Sequence, residues 1–176
     1  MKKFYCFFLL ICLGAHASFA QKLRTDVCVY GNTVAALAAS IQSARSGVQT
    51  LLISTSDSWI DHASLADWDK ASIASGMGTE LLKKYSLPEK TSKIQVDSLL
   101  KTIKSLTDTV KNLKIVSFSA IEEIKESGKG WELHLKSGQK IKALILVDGD
   151  NNHALLKQLG LKPPAGYTTA FDVNNP

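Results

Sequence analysis

The sequence predicts an α/β fold in which a parallel β-sheet carries a small antiparallel β-meander. Two short apolar segments rich in β-branched residues, at positions 26–30 and 49–53, flank a long stretch of small residues with helical character. An amphipathic pattern that begins at Asp97 precedes a further apolar segment. Between residues 114 and 147, short apolar segments alternate with glycine-containing turns, which is typical of antiparallel hairpins.

Residues 1–20 are predicted to be a secretory signal peptide and not part of the fold. Lys2 and Lys3 precede an apolar run at positions 4–13, and the segment closes on Ser18, Phe19 and Ala20. The apolar run is shorter than the roughly 20 residues that a spanning helix needs, and no later stretch approaches that length. We therefore expect an exported protein, periplasmic or extracellular, with no stable membrane span after cleavage.

The composition is that of a soluble globular domain, with 45% hydrophobic and 21% charged residues. The net charge of +5 comes from lysines that are spread along the chain and are not interleaved with aromatic residues, so we expect no nucleic-acid partner. Cys28 is the only cysteine after the predicted signal peptide, which excludes an internal disulfide. The histidines and acidic residues lack metal-ligand spacing, and no metal site is predicted.

The first element is a predicted βαβ unit. Residues 26–30 (DVCVY) form a strand, Gly31 begins a tight turn, and a helix runs from Val34 to Arg45 before Gly47. The helix consists almost wholly of Ala, Ser, Val, Leu and Ile, a composition suited to close packing against a sheet. Residues 49–53 supply the second strand, and the unit implies parallel pairing with a right-handed crossover.

The middle of the chain is predicted to be a long loop with one or two short helices, residues 54–96, followed by an amphipathic helix. Asp97 is the expected N-cap, and apolar residues then recur at spacings of three and four, namely Leu99, Ile103, Leu106, Val110 and Leu113. Residues 114–118 (KIVSF) are the next predicted parallel strand.

The last part of the domain is a predicted meander. Residues 120–125 and 131–136 form its first two strands around a turn at 126–130, with Trp131, Leu133 and Leu135 on one face. Residues 142–147 (KALILV) are continuously apolar, which predicts a strand buried on both faces. A short helix is expected at 151–159. The predicted domain therefore covers residues 21–162, and residues 163–176 form a tail.

Two turns are candidates for ligand binding. Dinucleotide folds place a glycine-rich turn after the first strand so that a pyrophosphate sits on the helix N-terminus. In the G-x-G-x-x-G/A pattern the three positions fall on Gly31, Thr33 and Ala36, so the first and the third are met. The alternative is a glycine-started turn in an ordinary βαβ unit. The second turn holds Gly149 and Asp150 at a strand's carboxyl end, where the alternative is that Asp150 and Asp148 cap the next helix.

The stretch DVCVYGNTVAALAASIQSARSGVQTLLIS, residues 26–54, resembles the opening of the secreted bacterial FAD-dependent oxidoreductases, with a strand, a Gly-Gly-Thr-type turn, an Ala-rich helix and a second strand. Ser58, Trp59 and Ile60 stand where that family has Trp-Ile-Gly-Gly, and ALILVDGDNNHALLKQLG is similar to its strand ending in Ala-Thr-Gly-Asp. The resemblance covers most of residues 25–162. It implies a Rossmann-like FAD-binding domain with FAD as cofactor.

The resemblance also implies which residues contact FAD: Gly31, Asn32, Thr33, Ala35, Ala36, Ser54, Gly149 and Asp150. Asn32 replaces a turn glycine and tolerates a left-handed conformation. Ser54 stands where an acidic side chain normally accepts hydrogen bonds from the adenosine ribose. Asp61 and His62 replace the glycine pair that lies against the flavin.

Members of the resembled family are longer, and their substrate-facing part lies beyond the end of this sequence, so no catalytic residue is carried over. The first hypothesis is the FAD-binding half of an FAD-dependent oxidoreductase of unknown substrate, which needs partner residues for turnover. The alternative is a non-catalytic exported remnant, a binding or interaction module without flavin. A protein partner is compatible with both hypotheses, and its identity is unknown.

Overall fold

The computed structural model describes residues 22–55, 76–85, 96–117 and 119–162. The predicted signal peptide, the loop with Trp59, Asp61 and His62, and the predicted tail lie outside these residues. The described part contains ten elements: β1 (Leu23–Tyr30), α1 (Val34–Arg45), β2 (Thr50–Ile53), α2 (Gly76–Tyr85), α3 (Val96–Thr107), β3 (Leu113–Val116), β4 (Ile121–Ser127), β5 (Gly130–Leu135), β6 (Lys140–Asp148) and α4 (Ala154–Gln158). None of the described helices is long and apolar enough to cross a membrane.

One six-stranded sheet, in the order β3-β2-β1-β6-β5-β4, organises the described residues. Strands β3, β2, β1 and β6 pair in parallel, whereas β5 is antiparallel to β6 and β4 is antiparallel to β5. Helix α1 connects the parallel neighbours β1 and β2, as the βαβ pattern requires. The predicted fold class, a Rossmann-like parallel sheet with a small antiparallel meander, is therefore confirmed.

The sheet separates two hydrophobic clusters because side chains alternate along a strand. On β1, Val29 packs with α1 and α3 in the first cluster, while Cys28 and Tyr30 face the meander and α4 in the second. Cys28 is fully buried, and this burial raises the pKa of its thiol to about 12. The thiol is consequently protonated and unreactive at neutral pH, as expected for a core cysteine.

Helix α1 packs closely on the sheet through its small residues. Its buried side is formed by Ala36, Leu37, Ser40, Ile41 and Ala44, and the helix contacts β1, β2 and β3. The buried Ser40 hydroxyl donates to the carbonyl oxygen of Ala36 at 2.7 Å, so it carries no unsatisfied polar group into the core.

A bidentate ion pair ties α1 to the next helix. Both guanidinium nitrogens Nη1 and Nη2 of Arg45 donate to the Glu80 carboxylate of α2 at 2.7 Å. This hydrogen bonding raises the pKa of Arg45 and lowers that of Glu80. Helix α2 also packs on α3, so the helices on this side of the sheet form a continuous group.

Two helix starts differ from the predictions. Helix α3 begins at Val96, so Asp97 lies inside the first turn and is not the N-cap, although its charge there still favours the helix dipole. Helix α4 begins at Ala154 and not at residue 151, because His153 adopts a left-handed conformation with φ 52° and ψ 48°. The turn that precedes α4 is therefore longer than the sequence pattern indicates.

The prediction that β6 is buried on both faces was wrong. Leu144 and Ile145 are 56% and 55% exposed. Ile141, Ala143 and Leu146 all pack in the second cluster, although strict alternation would place Leu146 on the opposite face from Ala143. The alternation is therefore broken between Ala143 and Leu146, at the two exposed residues.

Strand β1 has a matching irregularity at the same level of the sheet. The N–H groups of Asp26 and Val27 both donate to the carbonyl oxygen of Gln49, at 2.9 and 3.1 Å. Two consecutive residues that oppose one acceptor are characteristic of a β-bulge. Because Val27 is the register partner of Ile145, the bulge in β1 accompanies the break in β6.

Candidate functional site

The carboxyl ends of the parallel strands lie side by side. Tyr30 at the end of β1 pairs with Ile53 of β2 on one side and with Asp148 of β6 on the other. The chain leaves β1 towards β2 while β6 lies on the opposite side of β1, so this is a topological switch point. The turn at 31–33 and the turn at 149–150 lie at this edge, outside the strand ends, where ligands of open α/β sheets usually bind in a crevice.

The two turns are in contact, and the residues at the contact are glycines and one alanine. Gly31 has a φ of +138°, and a Cβ at this position would lie 2.6 Å from the backbone carbon and oxygen of Gly149. A Cβ on Gly149 would in turn lie 2.6 Å from the Cβ of Ala36. The amide of Gly149 donates to the carbonyl oxygen of Tyr30 at 2.8 Å. Gly31, Ala36 and Gly149, three residues predicted to contact FAD, are thus brought together against one another.

Thr33 connects the same two turns by hydrogen bonds. Its Oγ1 donates to the carbonyl oxygen of Gly149 at 2.6 Å and accepts from the amide of Ala36 at 3.0 Å. Its backbone is extended, with φ −87° and ψ 162°, as the N-cap of α1 requires. Thr33 is buried, so the hydroxyl serves the protein's own turn and cap.

The N-terminus of α1 retains donors for a ligand. The amide of Leu37 donates to the carbonyl oxygen of Thr33 at 3.1 Å, and that of Ala36 is satisfied by the Thr33 side chain. The amides of Val34 and Ala35 precede the first turn's hydrogen bonds and have no acceptor within the helix. Ala35 is exposed, Asn32 is partly exposed, and the first turn of α1 carries no acidic side chain. The positive end of the helix dipole is open to an anion at this point.

Two carboxylates flank Gly149 in the second turn. Asp148 accepts from the amide of Asp150 at 3.2 Å and from the amide of Leu156 at 3.1 Å. Asp150 accepts from the amide of Asn152 at 3.1 Å. The N-cap residue of α4 is His153, which makes no side-chain cap bond, and Asp148 accepts from an amide of the first turn of the helix. Asp150 accepts from an amide of the turn that precedes α4.

Tyr30 lies next to these carboxylates. Burial, followed by the charges of Asp150 and Asp148, raises the pKa of the Tyr30 phenol. Carboxylates repel phosphate oxygens, whereas the amides at the N-terminus of α1 attract them. Hydroxyl groups of a ligand are the better partners for Asp150. Its carboxylate accepts one hydrogen bond from the amide of Asn152 and has the capacity to accept others.

Ser54 follows β2 at the same edge of the sheet, but its side chain is fully buried. Its amide donates to the carbonyl oxygen of Val116 at 2.8 Å, and its carbonyl oxygen accepts from the amide of Ser119 at 3.1 Å. Thr55 is the first exposed residue after β2. The sequence analysis did not single out Thr55. The signal that indicates it is the run of four apolar or β-branched residues TLLI, because a strand that is buried throughout leaves the next residue, Ser54, buried as well.

His134 lies on the meander and not at the crevice. Its Nδ1 is 3.0 Å from Oε2 of Glu123, and its Nε2 is 3.0 Å from Oε1 of Glu132. The imidazole therefore bridges a carboxylate of β4 and a carboxylate of β5, and it links these two strands. Within residues 22–55, 76–85, 96–117 and 119–162, no group of three or more His, Cys, Asp or Glu side chains has the arrangement of a metal site.

The element order and the strand pairing define an α/β protein with a Rossmann-like fold. No family model matches the sequence, and no curated protein does so either. Solved structures do match, at identities that establish the fold alone.

Three of the similar structures are enzymes of oxidation and reduction. The p-nitrophenol 4-monooxygenase PnpA from Pseudomonas putida is 13% identical with a TM-score of 0.59, over 81% of this chain and 45% of that one. PqsL from Pseudomonas aeruginosa, a probable FAD-dependent monooxygenase, is 14% identical with a TM-score of 0.57, over 80% and 47%. The bacillithiol disulfide reductase Bdr from Staphylococcus aureus is 15% identical with a TM-score of 0.52, over 73% and 38%. This chain thus matches less than half the length of each.

Proposed function

We propose that this chain binds FAD through its ADP portion at the crevice and is the FAD-binding part of an oxidoreductase. The observation that carries the proposal is the exposed N-terminus of α1 at the switch point. The amides of Val34 and Ala35 have no acceptor within the helix and follow the Gly31 turn, which Thr33 connects to the Gly149 turn. The similar fold of a probable FAD-dependent monooxygenase supports the same ligand.

The residues at the crevice fit the ADP portion in one orientation. The pyrophosphate would accept from the amides of Val34 and Ala35, beside the partly exposed Asn32. The adenosine would extend towards the end of β2, where Thr55 offers a neutral hydroxyl to the ribose. A neutral donor or acceptor forms weaker hydrogen bonds than a carboxylate, so we expect the phosphate contacts to dominate the affinity.

When bound, FAD supplies a ring system that accepts and returns electrons. The described residues would bind and orient its ADP half, and Asp150 would accept a hydrogen bond from a hydroxyl on the chain between the ADP and the ring. Monooxygenases and a disulfide reductase share this fold, so the fold does not define the substrate.

A titration of the purified protein with FAD and, separately, with 5′-ADP tests the proposal. We expect both ligands to raise the melting temperature, because a ligand that binds only the native state stabilises it. Bound FAD should also give the protein a visible absorption spectrum. If neither ligand changes the melting temperature at millimolar concentration, the alternative of an exported module without flavin replaces the proposal.

Replacement of the exposed Ala35 by glutamate tests the site itself. The new carboxylate at the second residue of α1 would oppose the phosphates, and at about 4 Å this repulsion is worth several kcal/mol at a protein surface. We expect Ala35→Glu to weaken 5′-ADP and FAD at least about tenfold in isothermal titration calorimetry. The melting temperature without ligand should not fall, because an acidic side chain near a helix N-terminus is favourable.

Ala39→Glu is the matched control, since Ala39 is also exposed and lies one turn further along α1. This variant adds the same charge and should bind both ligands like the unmodified protein. Equal affinity of Ala35→Glu and Ala39→Glu would place the ligand elsewhere. Gly31→Val is not a suitable test, because the new side chain would collide with the Gly149 backbone whether or not a ligand binds there.

A further inference from the structure

Leu144 and Ile145 form an exposed aliphatic pair in an interior strand. Strand β6 lies between β1 and β5, where large apolar side chains are normally covered, yet more than half of each of these side chains is accessible. They lie at the break in alternation that accompanies the bulge in β1. Helix α1 packs over β1, β2 and β3, while α4 adds Leu155 to the second cluster, so neither helix accounts for the middle of β6.

A cavity of about 400 Å³ opens next to Leu144. Trp131 and Leu144 supply its large apolar side chains, and its charged lining consists of Arg24, Asp26, Lys129 and Lys142. The cavity lies at the amino-terminal end of the parallel strands, opposite the crevice, and is bordered by the 127–130 turn of the meander. It is therefore separate from the proposed FAD site.

The charge of the cavity is positive and partly uncompensated. Asp26 accepts from the amide of Gln49 at 3.2 Å, and Lys142 donates to the Ser127 hydroxyl at 3.3 Å and lies 3.7 Å from Glu132. Arg24 and Lys129 are exposed. In the part of the chain that the structure describes, neither takes part in an ion pair.

From this combination we infer that the surface formed by Leu144, Ile145 and the cavity docks an amphipathic helix of a partner protein whose flank is acidic. An apolar stripe on such a helix would cover the two aliphatic side chains, and its carboxylates would meet Arg24 and Lys129. The inference does not depend on FAD binding, because the two sites lie at opposite ends of the sheet.

The other occupants fit this surface less well. A bilayer is flat, whereas the aliphatic pair belongs to a strand inside the sheet and adjoins a concavity. A second copy would bring its own positive surface, and the described helices offer it no acidic flank: α2 carries Lys83 and Lys84 in its last turn, and α3 carries Lys101 and Lys104.

The inference is tested by fluorescence anisotropy with two labelled synthetic helices. Both carry leucines at positions i, i+3, i+4 and i+7, and they differ in having glutamates or lysines along one flank. We expect the glutamate peptide to bind at least about tenfold more tightly than the lysine peptide. The double variant Leu144→Ser/Ile145→Ser should lose at least about tenfold of that affinity, and Arg24→Glu/Lys129→Glu should reverse the preference between the peptides.

Leu161→Ser is the matched control, because Leu161 is equally exposed at 54% but does not line the cavity, and it should leave peptide binding unchanged. The four side chains replaced in the two double variants are exposed, so the urea midpoints of these variants should stay close to that of the unmodified protein. Equal binding of the two peptides, or full binding to the Leu144→Ser/Ile145→Ser variant, overturns the inference. Binding only to phosphatidylglycerol vesicles, or a dimer that the same double variant dissociates, also overturns it in favour of a membrane or a second copy.

Discussion

Gly31 is predicted to contact a ligand, and the structure shows that it is also needed for the packing of the chain against Gly149. Its φ of +138° lies in the region that favours glycine, and the space that a side chain would need is filled by the Gly149 backbone. The sequence predicted the position correctly from the strand-to-helix turn. It could not predict the reason, because the neighbour that excludes a side chain is Gly149, which follows β6 far along the chain.

We expect Gly31→Ala to destabilise the fold by about 2 kcal/mol or more, because it adds both an unfavourable φ and a collision with Gly149. Gly47→Ala is the control: Gly47 has a φ of +92° and nothing within 4 Å of its missing Cβ, so only the backbone cost remains. Urea denaturation measures both values. Equal losses in the two variants would show that Gly149 does not press on residue 31.

Helix α1 shows the same relation at the scale of an element. Its bounds, its close packing on the sheet and the parallel pairing of the strands that it connects were predicted from the sequence. These properties depend on residues that lie close together in the chain. The role of Thr33 was not predicted, since its acceptor, the carbonyl oxygen of Gly149, follows β6. The misjudged burial of β6 has the same origin, because the break at Leu144 accompanies a bulge in another strand.

Replacement of Thr33 by valine keeps the shape of the side chain and removes its hydroxyl. We expect a loss of about 1–3 kcal/mol in the free energy of unfolding, because the α1 cap and the bond to Gly149 are both lost. Thr33→Ser keeps the hydroxyl and should stay within about 1 kcal/mol of the unmodified protein. A serine variant as unstable as the valine variant would contradict the role of the hydroxyl. Urea midpoints at constant m-value provide the comparison.

Across the whole molecule, charged side chains join the start of the chain's described part to the meander. Glu132 on β5 lies 3.1 Å from Lys22 and 3.7 Å from Lys142, which belongs to β6, and it contacts His134. Hydrogen bonds from His134 and then from Lys22 lower the pKa of Glu132 from 4.5 to about 2. The pairing of these strands was predicted from alternation, whereas this ionic network depends on the register between three strands.

This lowered pKa predicts how stability depends on pH. The folded protein holds the Glu132 proton less tightly than the unfolded chain, so the contribution is complete above pH 4.5 and is lost as the pH falls towards about 2. Glu132→Gln should flatten the stability profile in this window. Glu126→Gln, which changes an exposed glutamate of β4, should leave the profile as it is. Identical profiles for the two variants, measured by thermal unfolding, would contradict the role of the network.

The contact of Gly31, Ala36 and Gly149 has a consequence for how such motifs are interpreted in evolution. Because these three positions must stay small for the chain to fold, selection for folding alone would preserve them in a descendant that no longer binds a nucleotide. The presence of these glycines therefore indicates descent from nucleotide-binding proteins and does not by itself indicate that a nucleotide is bound. Exposed Ala35 is the more informative position, since folding would tolerate an acidic residue there and only a bound phosphate would select against it.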